Sequence, residues 1–326
     1  MRIGCYPYAV VRPLFDGTVG IEGTEAEFSG TGGLVSDIFE KMVREQAFDV
    51  AELGLSFYLR TLDLEDPPFV AIPVFPARQF RQSAIFVHTG SGIREPADLA
   101  GKVIGEFAMY GHDAGVAAKG VLSDEYGLRP EESRWVIGGF DWPMGPFDFV
   151  PQIHPEGVDV SRAPEGKALG PMLDAGEIDA MISADVPRCV LEGSPRVARL
   201  FPDYGAVERE YYGRTGIFPI MHTIVVRRDL APDLVAAVYR AFCEARDVAM
   251  DHYRRRRVFT NLELNVPWFG ELLDRDLELF PEGLYPYGVA ANRVSIDAFL
   301  RWHFEQGLSR RRLTPEDIFV PELLGT

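Results

Sequence analysis

Residues 215–228 read TGIFPIMHTIVVRR. Ile217, Phe218, Ile220, Met221, Ile224, Val225 and Val226 form a run with little polar alternation, the pattern of a strand covered on both faces. His222 stands in the middle of it. An imidazole there is either a satisfied core histidine or a group that faces something needing a proton.

Outward from this strand, the chain alternates strands and helices. Arg2–Tyr6 reads as a first strand, and GLVSDIFEKMVREQ places Leu34, Val35, Ile38, Phe39, Met42 and Val43 at helical spacing. FDVAELG (48–54) is a short buried run with an acid inside it, and FVAIPVF (69–75) and SAIFVH (83–88) are β-rich. From Gly92 the pattern restarts: EPADLAGKVIG (95–105) is a turn and a strand, 113–125 is helical, and RWVIGG (134–139) is a strand. KALGPMLDAGEIDAMIS (167–183) is a helix, a glycine cap and another short strand. One helix leads into FDVAE and another into EIDAMI (177–182), each with an Asp before an apolar strand. The sequence therefore predicts two α/β units of similar build. After residue 232 helical patterns dominate, over Leu234–His252 and Ser295–Gln306. No Gly/Ser linker interrupts the chain, which fits two lobes joined by crossing strands. GGFDWPMGPFDFVPQIHP (138–155) is too rich in Pro and Gly for a helix or central strand, and reads as a cleft wall or as a self-packed surface loop.

Composition narrows the function classes. The 326 residues suffice for a sizeable core without staples. A formal net charge of −16 argues against nucleic acid and against an anionic membrane surface. The basic run Arg254–Arg257 closes a helical pattern, where it complements the helix dipole. Cys5, Cys189 and Cys243 form no CxxC pair, which fits a reducing compartment. With no apolar leader-like run after MRIGCYPYAV, and no stretch of transmembrane length, a cytoplasmic protein is expected.

Several blocks carry a resemblance. PADLAGKVIG (96–105) resembles the start of the second lobe in type II periplasmic-binding-protein folds. DPPFVAIPVFPARQFRQSAIFV (66–87), GSPRVARLFPDY (193–204), RTGIFPIMHTIVVRRDL (214–230) and RPLFDGTVGIEG (12–23) resemble the 4,5-dihydroxyphthalate decarboxylase family, from about Arg12 to His252. The resemblance implies a two-lobed α/β fold with a ligand cleft between the lobes and a helical C-terminal region. Residues 1–87 and 218–326 would form lobe one, and 88–217 lobe two. The chain would cross at SAIFVHTG and return at GIFPIMHT, placing His222 near the hinge and cleft floor.

The reaction so implied removes a carboxylate from an electron-rich hydroxylated ring, and no cofactor is implied. A proton goes to the ring carbon that carries the carboxylate, the developing positive charge is relieved by a para hydroxyl, and carbon dioxide leaves. Such a site needs an arginine clamp, a general acid and exclusion of water. Arg12, Arg78 and Arg81 are the candidate clamps, each otherwise a solvated surface arginine. Ser56 either helps hold the anion or simply caps a helix. Glu52, ending a buried strand, pairs with a clamp arginine or acts as an acid itself, the pairing being preferred. His222 is the candidate proton donor. His112 and Asp113 open a helix, with N-capping as the alternative role for Asp113, and Asp185 follows the second-unit strand. These acids and histidines show no metal-ligand spacing, so no metal site is read from them.

The sequence also departs from the family pattern. Tyr8-Ala9-Val10 stands where the family carries Tyr-Asp-Arg, Gln82 where it carries His, Ala117 where it carries Trp, and Asp185-Val186-Pro187 where it carries Arg-Pro-Pro. Losing bases and gaining an acid makes a dianionic phthalate a poorer fit, so a monocarboxylate or neutral ring is expected. A small carboxylic acid is the expected partner, and a homo-oligomer is a compatible assembly. The alternative from another class is a cytoplasmic small-acid solute-binding or sensor protein without catalysis. A thiamine-precursor type of enzyme shares the fold, but no histidine-rich segment supports it here.

Overall fold

The computed structural model describes residues 1–256 and 266–326. Its strands, in chain order, are β1 (Arg2–Gly4), β2 (Glu27–Ser29), β3 (Val50–Gly54), β4 (Phe69–Ile72), β5 (Ile85–His88), β6 (Val103–Phe107), β7 (Arg134–Gly138), β8 (Asp159–Arg162), β9 (Ala180–Ile182), β10 (Val197–Arg199) and β11 (His222–Arg227). The helices are α1 (Arg12–Phe15), α2 (Ser36–Glu45), α3 (Leu55–Thr61), α4 (Asp113–Tyr126), α5 (Leu169–Ala175), α6 (Arg188–Leu191), α7 (Tyr204–Thr215), α8 (Pro232–Arg256), α9 (Phe269–Leu279), α10 (Arg293–Glu305) and α11 (Pro315–Ile318). Arg257, the last of the expected basic run, lies outside the described residues.

Two sheets result, one ordered β2-β1-β3-β11-β4 and the other β10-β5-β9-β6-β7-β8. β11 lies between β3 and β4 and is antiparallel to both. Its Ile224, Val225 and Val226 are almost wholly buried, each contributing about 1.5–3 kcal/mol of hydrophobic burial. That central place explains the apolar run of the sequence. β4 stops at Ile72, shorter than FVAIPVF suggested, because Pro73 has no N–H for the ladder. β5 pairs only with β9 and β10, so the chain joins the second sheet at Ile85, ahead of the expected boundary at 88. Residues 139–158 contain neither helix nor strand. The short edge strands β2, β8 and β10 and the helix α7 carry too little periodicity to have been read from the sequence.

The two rhyming Asp residues do the same job in each sheet. Asp49 Oδ2 accepts the N–H of Arg2 at 2.7 Å, and Asp179 Oδ2 accepts the N–H of Val103 at 2.9 Å. In both cases the acid before one strand holds the first amide of its parallel neighbour. The carbonyls of the same residues accept from the N–H groups of Arg227 in β11 and His88 in β5.

The sheets are tied together by helices. α10, from the chain segment expected with the first lobe, packs on α4, which follows β6 of the second. Trp302 fills the space where a Cβ on Gly120 would sit, and its Nε1 donates to Asp124 at 2.8 Å. Gln306 Nε2 donates to the Val116 carbonyl at 2.9 Å.

Beneath α4 lies a buried ion pair. Lys119 Nζ donates to Glu106 Oε2 at 2.6 Å, with both side chains 1% exposed. The ammonium also lies 3.7 Å from the Tyr110 ring centroid and 4.7 Å from that of Trp135. Gly115 is required beside it, since a Cβ there would meet Glu106 at 1.7 Å. Removing one partner leaves an uncompensated buried charge. Glu106→Gln is therefore expected to cost about 3–5 kcal/mol in urea unfolding. The double change with Lys119→Met should recover most of it. A midpoint unmoved by the single change would show that the pair contributes nothing.

Candidate active site

β3 and β11 build the centre of the site through their register. His222 opposes Gly54 and Ile224 opposes Glu52, so Glu52 and His222 share a face as diagonal neighbours. Their side chains meet: His222 Nδ1 and Glu52 Oε1 are 2.6 Å apart. Glu52 has no solvent exposure, yet its oxygens are surrounded by donors. The Tyr8 hydroxyl donates to Oε1 at 2.8 Å, and the Tyr6 N–H and Cys5 thiol donate to Oε2 at 2.8 and 3.4 Å. Cys5 is there because β1 runs beside β3 in register, with Gly4 opposite Ala51. The expected pairing of Glu52 with an arginine is thus corrected: its partner is His222.

Burial alone would lower the His222 pKa, but the hydrogen bond and charge of Glu52 outweigh it. The imidazole titrates above its ordinary 6.5. The ring packs edge-on against Phe39, with centroids 5.2 Å apart. With Nδ1 held by Glu52, Nε2 is the nitrogen left for the cavity that His222 lines.

That cavity, of about 560 Å³, lies between the two sheets. Its size suits a small organic ligand. Tyr6, Tyr8, Phe39 and Tyr285 line it from the first-sheet side, and Phe107, Phe140, Trp142 and Phe147 from the second. Trp142 and Phe147 come from the irregular 139–158 segment, which therefore forms a cleft wall. Asp148 of the same segment pairs with Arg44 of α2 across the cleft.

The expected arginines separate. Arg81 lines the cavity and is 1% exposed. Its Nε donates to the Gln79 carbonyl, one Nη to the Ser183 carbonyl and the other to the Gln79 side chain. A guanidinium has five N–H bonds, so two remain unused among the described residues. Burial pulls its pKa down to about 10, which leaves it cationic near neutrality. Arg78 also touches the cavity; its Nη atoms donate to Asn292, the Phe218 carbonyl and Ser295, its Nε is buried without a partner among the described residues, and it stacks on the Phe218 ring at 4.6 Å. Arg12 is exposed at the start of α1 and lines a different surface depression with Asp16 and Thr18. Its expected place at the cleft is corrected, because the loop after β1 turns outward there.

Ser56 does not face the cavity. It is fully buried, its hydroxyl donates to the Gly111 carbonyl at 2.6 Å, and its N–H donates to Asp113 Oδ1 at 2.6 Å. Arg60, unremarked in the sequence, adds bonds to the Tyr110 and Pro151 carbonyls at 2.6 and 3.0 Å. Together these groups latch α3 to the loop before α4. Asp113 reaches across because Gly54 has no Cβ, which would lie 2.2 Å from Oδ2. Burial raises the Asp113 pKa to about 6, against the opposing pull of His222 and the Ser56 N–H. The N-cap of α4 is His112, not Asp113, and both line the cavity. Asp185 lies exposed at the cavity edge. Among the described residues no group of His, Cys, Asp and Glu is arranged to hold a metal ion.

A 4,5-dihydroxyphthalate decarboxylase of Comamonas testosteroni is 36% identical over 320 residues, spanning 97% of this chain and 95% of its own. This chain belongs to the 4,5-dihydroxyphthalate decarboxylase family. A second relative of that name, from Pseudomonas putida, is 35% identical over 205 residues, covering 63% of this chain and 78% of its own. No family model matches the chain. Among solved structures, the aliphatic sulphonate binding protein SsuA of Escherichia coli superposes with a TM-score of 0.53 at 12% identity, covering 100% of this chain and 99% of its own. A DSZB variant in complex with biphenyl-2-sulfinic acid gives 0.53 at 15% identity, covering 99% and 98%. These likenesses show the fold, a two-lobed type II periplasmic-binding-protein-like architecture. No helix of the described residues is long and apolar enough to cross a membrane.

In this member of the decarboxylase family the state of His222 depends on Glu52. The His222 share of stability is full below about 6.5 and is lost as pH rises through the raised folded-state value. In NMR titrations its imidazole should titrate above 6.5, and at a lower pH in Glu52→Gln, because only the charge of Asp113 then opposes burial. An unchanged midpoint in the variant would remove Glu52 from the account.

Proposed function

We propose that this chain is a cofactor-independent carboxy-lyase that releases carbon dioxide from a small hydroxylated aromatic acid bound between the lobes. The observation that carries the reading is the Glu52–His222 pair, which presents an imidazole of raised pKa to an aromatic-walled cavity. The family membership supports the same class of reaction. The free N–H pair of Arg81 is the anchor for one carboxylate. Arg78 holds its own lobe together, and Asp185 at the edge disfavours a second carboxylate nearby. The His222 Nε2–H delivers its proton to the ring carbon bearing the carboxylate. The carbon–carbon electron pair then returns to the ring and carbon dioxide departs, so no external electron acceptor is needed. Glu52 fixes the tautomer and keeps the imidazole protonated, and Tyr8 holds Glu52.

In this reading residues 1–84 with 218–326 supply one lobe and 85–217, β5 included, the other, with α10 bridging the two. The three free cysteines fit a cytoplasmic location.

The test uses a panel of hydroxybenzoates and hydroxyphthalates, 4,5-dihydroxyphthalate included, with carbon dioxide release and thermal stabilisation followed together. Release is expected, with kcat reduced about 10²–10⁴-fold in His222→Gln. In the wild type kcat should fall as pH rises through the His222 value, since the donor must carry its proton. Stabilisation without release by any member would replace the lyase with a binding protein.

A further inference from the structure

His112 is held in a single orientation at the cap of α4. Its Nδ1 accepts the Ala114 N–H at 3.3 Å, so the neutral ring carries its proton on Nε2. Phe57 and Phe107 pack against the ring at 87° and 71°, with centroids 5.6 and 5.3 Å away. The residue is 8% exposed and lies on the cavity wall. Among the described residues nothing accepts from Nε2, and that atom is not sealed in the core. Burial, aided by the positive charges of His222, Arg81, Arg60 and Lys119, holds the imidazole neutral down to about 3. Asp113, next in the chain, is the acid at its side. One cavity thus holds two histidines of opposite state: His222 paired with a carboxylate, and His112 paired with an amide N–H.

We propose that His112 is a second catalytic residue, whose Nε2–H donates to the substrate oxygen para to the departing carboxylate and holds that oxygen as a phenolate. The assignment rests on the decarboxylase reading and narrows its substrates to aromatic acids with a hydroxyl para to a carboxylate. The phenol proton passes to solvent, and the phenolate enriches the para carbon. The His222 N–H bond breaks as the new ring C–H bond forms, giving a neutral dienone whose oxygen still accepts from His112. The bond to the carboxylate then breaks, its electrons restore the aromatic phenolate, and carbon dioxide leaves. His222 regains a proton from solvent. No ring cation forms, which matters because the charges around His112 that oppose a cation and favour an anionic oxygen are His222, Arg81, Arg60 and Lys119.

The probe is 4-hydroxy-3-nitrobenzoate, whose hydroxyl is para to its carboxylate and whose visible absorption reports ionisation. Bound to the wild type, it should ionise at a pH at least one unit below that in free solution, a tenfold change in proton concentration. His112→Asn keeps a capping side chain but has no donor at the Nε2 position, and should abolish the shift. His112→Gln restores an amide N–H there and should retain part of it. A wild type that does not bind the probe, or an Asn variant with the full shift, overturns the assignment. Carbon dioxide release from the panel with an unshifted probe removes His112 from catalysis and leaves the lyase reading standing. A shifted probe with no release anywhere in the panel overturns the catalytic role and leaves a phenolate-binding site.

Discussion

The hydrogen bond between Glu52 and His222 is the contact on which the rest of the site depends. It exists because two antiparallel strands set these residues diagonally on one face. A slip of one residue in β11 would turn His222 to the opposite face and leave a buried carboxylate without its main partner. The donors from Cys5, Tyr6 and Tyr8 then hold the carboxylate in place, so the first strand and the loop after it serve the same centre. Burial and charge compete at His222, and charge wins by direct hydrogen bonding. At His112, with only an amide N–H as partner, burial wins. The same residue type thereby takes two states within one cavity.

The second sheet joins this centre through α3 and α4. Ser56 and Arg60 bind carbonyls of the loop that ends at His112, and Asp113 binds back to the Ser56 N–H. α10 adds a second tie through Trp302 and Gln306. These contacts fix where His112 stands relative to His222. They also explain why polar residues near the cleft do not all serve the ligand: several hold one lobe to the other.

Much of this was legible in the sequence. Polar residues inside apolar strands, Glu52 and His222, marked the centre, because burying such groups is costly without a purpose or a partner. Alternation and glycine caps gave the α/β build and the two related units, and the Asp49 and Asp179 rhyme has a structural cause in their shared amide contacts. Which donors are already taken was not legible. Arg78 and Arg81 lie in one motif, but the Nη atoms of Arg78 are held by Asn292, Ser295 and the Phe218 carbonyl and its unpartnered Nε is buried, whereas two N–H bonds of the cavity-lining Arg81 stay unused. Ser56 and Arg12 had the right chemistry in the wrong direction, inward to another loop and outward to the surface. Tyr8 was noted only as the start of a stretch in which Ala9 and Val10 depart from the family pattern. Its contact with Glu52 depends on a loop conformation that no local periodicity encodes.

The most direct test of the central claim, proton delivery from the Glu52–His222 pair to the carbon that loses its carboxylate, follows the fate of that proton. The protein would be incubated in deuterated water with the hydroxybenzoate or hydroxyphthalate that it turns over fastest, and the ring positions followed by NMR. The account predicts one deuteron per turnover, placed only at the carbon vacated by carbon dioxide, and labelling slowed about 10²–10⁴-fold in His222→Gln. Turnover with deuterium at other ring positions, or undiminished labelling in the variant, would contradict it.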